Sequence, residues 1–168
     1  MNQRCALAFF AMIFLITVQG VVLAQTASPQ TAPPPDAAPV PYVLTMGDMM
    51  NALVQPRHAK LGLAGRSGNW PLAAYALVEI RQSFAGIVKA QPRFRGYPVA
   101  ELVDAALGEP LRAVDAAIKQ RDPEKFAAAY DRLTQGCNAC HASIDHAYVV
   151  IQTPDASAFP NQAFDVRQ

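Results

Sequence analysis

Apolar residues return every three or four positions through most of this chain, and that period commits it to helices. Ala73, Leu77, Ile80, Phe84 and Ile87 form one stripe, and Val103, Leu107, Leu111, Val114 and Ile118 form another. A third holds Phe126, Tyr130, Leu133, Cys137, Cys140 or His141, Ile144 and Tyr148. Ahead of these, Met46, Met49, Met50 and Leu53 mark the apolar face of a further segment. Val149-Val150-Ile151 is the only run with strand-like chemistry, and it is short. Four amphipathic segments with short connections predict an all-α fold, an antiparallel four-helix bundle.

The boundaries follow from proline and capping chemistry. The first helix spans residues 42–64, and Pro56 inside it is expected to kink or split it, because proline donates nothing to the preceding turn. Asn69 caps the second, with Pro71 in its first turn, and Pro92 lies beyond its end. The third covers residues 98–120, where Gly108 and Pro110 predict two short helices with a bend. Asp122-Pro123 opens the fourth, which is expected to run to Tyr148. Residues 42–152 then form one domain. Residues 153–168 are a polar tail whose Phe159 and Phe164 either pack on the bundle or stay solvated.

The N-terminal region is different. Residues 1–4 are short and basic, residues 6–20 are almost wholly apolar, and Val22-Leu23-Ala24 offers a cleavage site, so residues 1–24 read as a secretory signal peptide. Its removal leaves 144 residues (168 less 24), with 13 basic side chains (14 less Arg4) and 13 acidic ones. A balance near zero argues against nucleic acid or an anionic membrane as partner. No second long apolar run follows, so no membrane anchor is expected after cleavage. Residues 25–41, rich in Pro, Ala, Ser and Thr, read as a Pro-rich linker.

Cys5 leaves with the signal, so the mature chain keeps only Cys137 and Cys140. They sit in Cys137-Asn138-Ala139-Cys140-His141, the C-x-x-C-H pattern of covalent haem c attachment. Two thiols at this spacing meet the two vinyl groups of one porphyrin as thioethers. The adjacent imidazole of His141 then falls under the iron as proximal ligand. Three plainer readings compete. A redox-active C-x-x-C pair favours a strand-to-helix setting, whereas this one lies deep in a helical pattern. Structural zinc needs further ligands, and outside the motif only His58 and His146 remain among histidines and cysteines of the mature chain. A disulfide between Cys137 and Cys140 would strain the helix.

With its signal peptide, four helical segments and single C-x-x-C-H in the last of them, the sequence resembles the class II c-type cytochromes, the cytochrome c prime group. The resemblance covers residues 42–148; it is specific at the haem motif and architectural elsewhere. It implies one covalent haem near one end of the bundle, with iron either five-coordinate under an apolar residue of the first helix or six-coordinate through a methionine from that helix. The Pro-rich leader, Pro56 and the residues beyond Tyr148 depart from the family pattern. Matching the turn after Ala64-Gly65 to the family's turn puts Met49 at the distal position as sixth ligand, with Met50 next and Met46 third. A methionine stripe is otherwise plain core, since thioethers fill gaps well.

His58 is the rival ligand, nine residues beyond Met49, roughly 13 Å along a straight helix. A structural hydrogen bond is the plainer role for it. His146 lies five residues after His141 and is expected to point away from the haem. Trp70 reads as an anchor at the start of the second helix. Arg93, Arg95 and Tyr97 form a basic, aromatic loop, either solvated or paired with haem propionates.

These readings predict a periplasmic monohaem cytochrome that transfers electrons and is not an enzyme: no nucleophile with a base and no paired carboxylates stand at a working spacing. Its partners would be redox proteins, and a homodimer is a state the resemblance allows without any residue demanding it. The competing expectation is a five-coordinate haem protein that binds nitric oxide or carbon monoxide.

Overall fold

The computed structural model describes residues 42–165; the expected signal peptide at 1–24 and linker at 25–41 lie outside the described residues. The chain is mostly helical, an all-α protein. In order it comprises α1 (Met46–Met49), a π-helical segment (Met50–Val54), α2 (Gln55–Arg66), α3 (Trp70–Ala90), β1 (Arg93–Phe94), β2 (Tyr97–Pro98), α4 (Val99–Gln120) and α5 (Pro123–Ser143). The β1–β2 hairpin pairs Arg93 with Pro98 and Phe94 with Tyr97. No strand forms at residues 149–151. Among the described residues no helix is long and apolar enough to cross a membrane.

The helices begin where capping chemistry places them. Thr45 accepts from the Asp48 N–H, and the Asp48 carboxylate returns to the Thr45 N–H, a reciprocal box that starts α1 four residues later than the apolar pattern suggested. Asn69 Oδ1 accepts from the Leu72 N–H at 3.3 Å, and Asp122 Oδ1 from the Lys125 N–H at 3.0 Å, so α3 and α5 start as expected.

Both internal prolines are absorbed without a break. Ahead of Pro56 the chain loosens into the π-helical turn, where Gln55 N–H donates to the Met50 carbonyl, and helix continues from Met46 to Arg66. The wider turn gives the proline ring room that an α turn denies it. In α4, Pro110 sits inside one continuous helix, contrary to the expected split. Its missing N–H orphans the Ala106 carbonyl, and this is where α5 comes closest: a Cβ at Gly136 would lie 2.4 Å from that oxygen. One turn on, Arg81 donates to the Leu111 carbonyl at 3.1 Å and ties α4 to α3.

Leu61, Ile80, Val114 and Leu133 are fully buried, with Phe126 and Tyr130 beside them. Each such side chain contributes about 1.5–3 kcal/mol through burial. α4 packs most extensively on α5, and α2 on α3. The register of α2 on α5 is antiparallel and can be read from three contacts. His58 meets Tyr130 and Thr134, Gly62 lies under the Tyr130 ring, and Gly65 lies under the Phe126 ring. Trp70 stacks edge-on against Phe126 with centroids 6.0 Å apart, the anchor its position suggested.

The C-terminal helix stops at Ser143, five residues short of the expected Tyr148. Asp145 adopts a left-handed backbone with φ of 61°, and the His146 N–H donates to the His141 carbonyl at 2.8 Å, which turns the chain back. The segment beyond this turn returns alongside α5. Thr153 Oγ1 bonds Asp131, the Pro154 carbonyl accepts from Arg66, and Phe164 is buried. Lys60 lies over the Phe159 ring at 4.8 Å.

Because Gly136 faces a backbone oxygen rather than a movable side chain, Gly136→Val is expected to destabilise the protein by about 3 kcal/mol. The check is a lower urea midpoint with an unchanged slope.

Candidate cofactor site

A partly open cavity of about 290 Å³ lies between α1, the π-helical turn, α4 and the C-terminal end of α5. Cys137, Cys140 and His141 line it from α5. Residues 149–151 wall it from the returning segment, and Phe94 closes one side from the hairpin. Among the described residues, none of the lining side chains is Asp, Glu, Lys or Arg. The volume is at the small end of the ~300–1,000 Å³ typical of ligand pockets.

The motif residues are held by α5 and by the returning segment. Cys137 is buried, and burial pushes its thiol up to about 12; the half-buried Cys140 is also raised by burial. Both cysteines are free. Thiols held protonated are poor thiolate nucleophiles, which argues against a redox-active pair. His141 is fixed differently: its Nδ1 lies 2.8 Å from the Val149 carbonyl, so this nitrogen carries the proton and donates. Among the described residues Nε2 makes no hydrogen bond.

The distal wall comes from every fourth residue of the first helical run: Met46, Met50, Val54 and His58 all line the cavity. Met49, the expected sixth ligand, does not. It is buried at 3 % exposure within the apolar core, outside the cavity lining. The series at i, i+4 stays on one face through the π-helical turn, and Met49, about 100° round the helix from Met50, falls outside it. The register on α5 also decides height. His58 lies level with residues 130–134, Gly62 with Tyr130 and Gly65 with Phe126, so each step back along α2 is a step forward along α5. Carried to His141, this puts residues 50–51 at its level, and Met46 a turn beyond.

His58 is buried in a polar network of its own. Its Nε2 lies 3.0 Å from Thr134 Oγ1 and its Nδ1 2.9 Å from the Tyr130 hydroxyl, which also bonds the His58 carbonyl at 2.7 Å. Thr134 Oγ1 in turn lies 3.1 Å from the Tyr130 carbonyl. Burial holds the imidazole well below its ordinary value, at about 4, so it is neutral at pH 7. A neutral ring has one lone-pair nitrogen, and here that nitrogen faces a hydroxyl. Ligating iron would strip a buried hydrogen bond, costing about 1–3 kcal/mol. This is the structural role the sequence suggested for it.

His146 differs from expectation. It lines the cavity, with its ring edge-on to Phe94 at 5.8 Å and its Nδ1 2.8 Å from the Ile144 carbonyl. It lies beyond the end of α5, where the angular spacing of a helix no longer applies. Of the basic loop, Arg93 bonds the Gly96 carbonyl within the hairpin, and neither Arg93 nor Arg95 lines the cavity. Tyr97 is 43 % exposed. Phe94 and Thr134 are parts of the site that residue patterns did not single out, and Tyr130 read there only as core.

The donor set fits a c-type haem: two thiols one helical turn apart, an oriented imidazole beside them, a thioether across an apolar cavity, and no charge in the lining. The chain matches no protein-family model, no curated protein and no solved structure.

Proposed function

We propose that this protein is an exported, periplasmic monohaem c-type cytochrome that carries electrons, with its helices arranged as an antiparallel four-helix bundle of the class II kind. The observation that supports it most is the His141 ring, pinned through Nδ1 to the Val149 carbonyl at the wall of a cavity that both motif cysteines also line. Ligating histidines commonly donate their second ring N–H to a carbonyl in this way, which fixes the tautomer and raises basicity. Haem, when bound, supplies the one-electron chemistry. Cys137 and Cys140 would hold it as thioethers, His141 would bind the iron, and Met50 would offer a thioether sulfur at the level of His141. Apolar side chains such as Val54, Phe84 and Leu107 exclude water from the ring faces. Partners would be soluble redox proteins.

The second reading keeps the haem and leaves the iron five-coordinate. Met50 is only half-buried, and Val54 one turn away gives the distal side an apolar wall that suits nitric oxide or carbon monoxide.

Intact mass of the chain, expressed with a haem-maturation system and exported, tests the proposal. The expected product is the cleaved chain plus one haem. Cys137→Ser with Cys140→Ser should remove the added mass entirely, and either single change should weaken attachment. A wild-type chain without added mass overturns the reading. The reduced spectrum separates the two forms: narrow low-spin bands for electron transfer, a high-spin spectrum that shifts with carbon monoxide for gas binding.

A further inference from the structure

We infer that Asn138, the first of the two variable residues of the motif, is a positioning residue that clamps the segment after α5 and thereby sets the hydrogen bond to His141. The inference rests on the haem reading for its effect on iron; its geometry does not. Asn138 pairs with the backbone of Ile151 from both ends of its amide: Nδ2 donates to the Ile151 carbonyl at 2.9 Å, and Oδ1 accepts from the Ile151 N–H at 2.8 Å. The side chain thus does what a neighbouring strand would do, in a segment of strand-like composition with no strand partner. Two residues away, the Val149 carbonyl takes the His141 Nδ1 proton at 2.8 Å.

Three residues separate Asn138 from His141 on α5, so both project toward the same side of the helix. Ile151 and Val149 lie two residues apart in the segment beyond α5, and their carbonyls meet that pair. Val149 and Val150 are themselves largely exposed, at 39 % and 64 %, and Tyr148 at 77 %. The two Asn138 bonds tie this stretch to α5 beside the motif, and half-buried Ile151 adds contact with the core. An asparagine is needed because it offers a donor and an acceptor on one planar group at short reach. Leucine has a similar shape and neither.

The consequence concerns the electron donation of His141. A fixed carbonyl on Nδ1–H makes the imidazole a stronger ligand and favours the oxidised iron. When the clamp is lost, the carbonyl drifts, the ring donates less, and the midpoint potential rises.

The test uses the full mature holoprotein. In Asn138→Leu, exchange of the Ile151 amide and of the His141 Nδ1–H proton, followed by NMR, should both quicken by about tenfold. The midpoint potential should shift upward while haem mass stays unchanged. In the wild type, both protons should exchange with the same opening equilibrium, since one segment carries both; this needs no variant and holds even where Asn138→Leu folds poorly. Independent exchange of the two protons, or an Asn138→Leu variant with wild-type ring-proton exchange and potential, overturns the inference. Failure of the haem reading looks different: no added mass in the wild type, with Ile151 amide protection still dependent on Asn138.

Discussion

On the proposed haem reading, Met50→Ala is expected to convert a low-spin spectrum to high-spin, lower the midpoint potential and open the iron to carbon monoxide. The expectation comes from height and face together. The α2–α5 register carries the level of His141 to residues 50–51, and of the methionines only Met50 combines that level with a place in the cavity lining. Thioether ligation raises the potential of a haem, so losing it moves the potential down. The neighbouring methionines give the contrast. Met49→Ala removes a side chain that is 3 % exposed in the core and should cost about 2–4 kcal/mol of stability without altering spin state. Met46→Ala, a turn beyond the iron, should leave the spectrum as it is. High-spin conversion by Met49→Ala alone would mean that the first helical run turns a different face to the cavity in the holoprotein. A wild type that is already high-spin would put gas binding ahead of electron transfer.

Acidification from about pH 6.5 to pH 4 is expected to remove stability through His58. In the fold, burial holds its imidazole at about 4, against an ordinary value of 6.5. Over that window the unfolded chain binds a proton that the folded chain refuses, so stability falls as pH falls. The full span is about 3 kcal/mol, from 1.36 kcal/mol per unit. Well above pH 6.5 both states are neutral at this position and the contribution is flat. Four contacts join His58, Tyr130 and Thr134, and a neutral ring with two hydroxyls brings three protons to them. An imidazolium would fill the fourth, yet desolvation outweighs that gain. Urea unfolding at pH 7 and pH 4.5 checks the slope. His58→Gln should be less stable than wild type at pH 7 and lose less on acidification; an equally steep loss would clear His58 of the effect.

The helices and the motif were legible in the residues alone. Period and capping placed α3 from the Asn69 cap and α5 from Asp122, because those signals act within one turn and need no tertiary partner. Cys137, Cys140 and His141 line one cavity, as their spacing within about one helical turn suggested. The expectations that failed carried a local rule across a long-range contact. Pro110 was expected to break α4, but the helix continues through it, with Gly136 of α5 against the freed carbonyl. Pro56 was expected to kink or split the first helix, and a π-helical turn absorbed it; Met50 lines the cavity and Met49 does not. His146 was placed by a helical wheel that ended three residues earlier. Asn138 and the Val149 carbonyl were invisible, since a backbone acceptor has no signature in sequence and the segment bearing it comes after a left-handed turn at Asp145. Side-chain identity fixes what a residue can donate or accept; the packing of distant segments decides which of its partners arrives within about 3 Å.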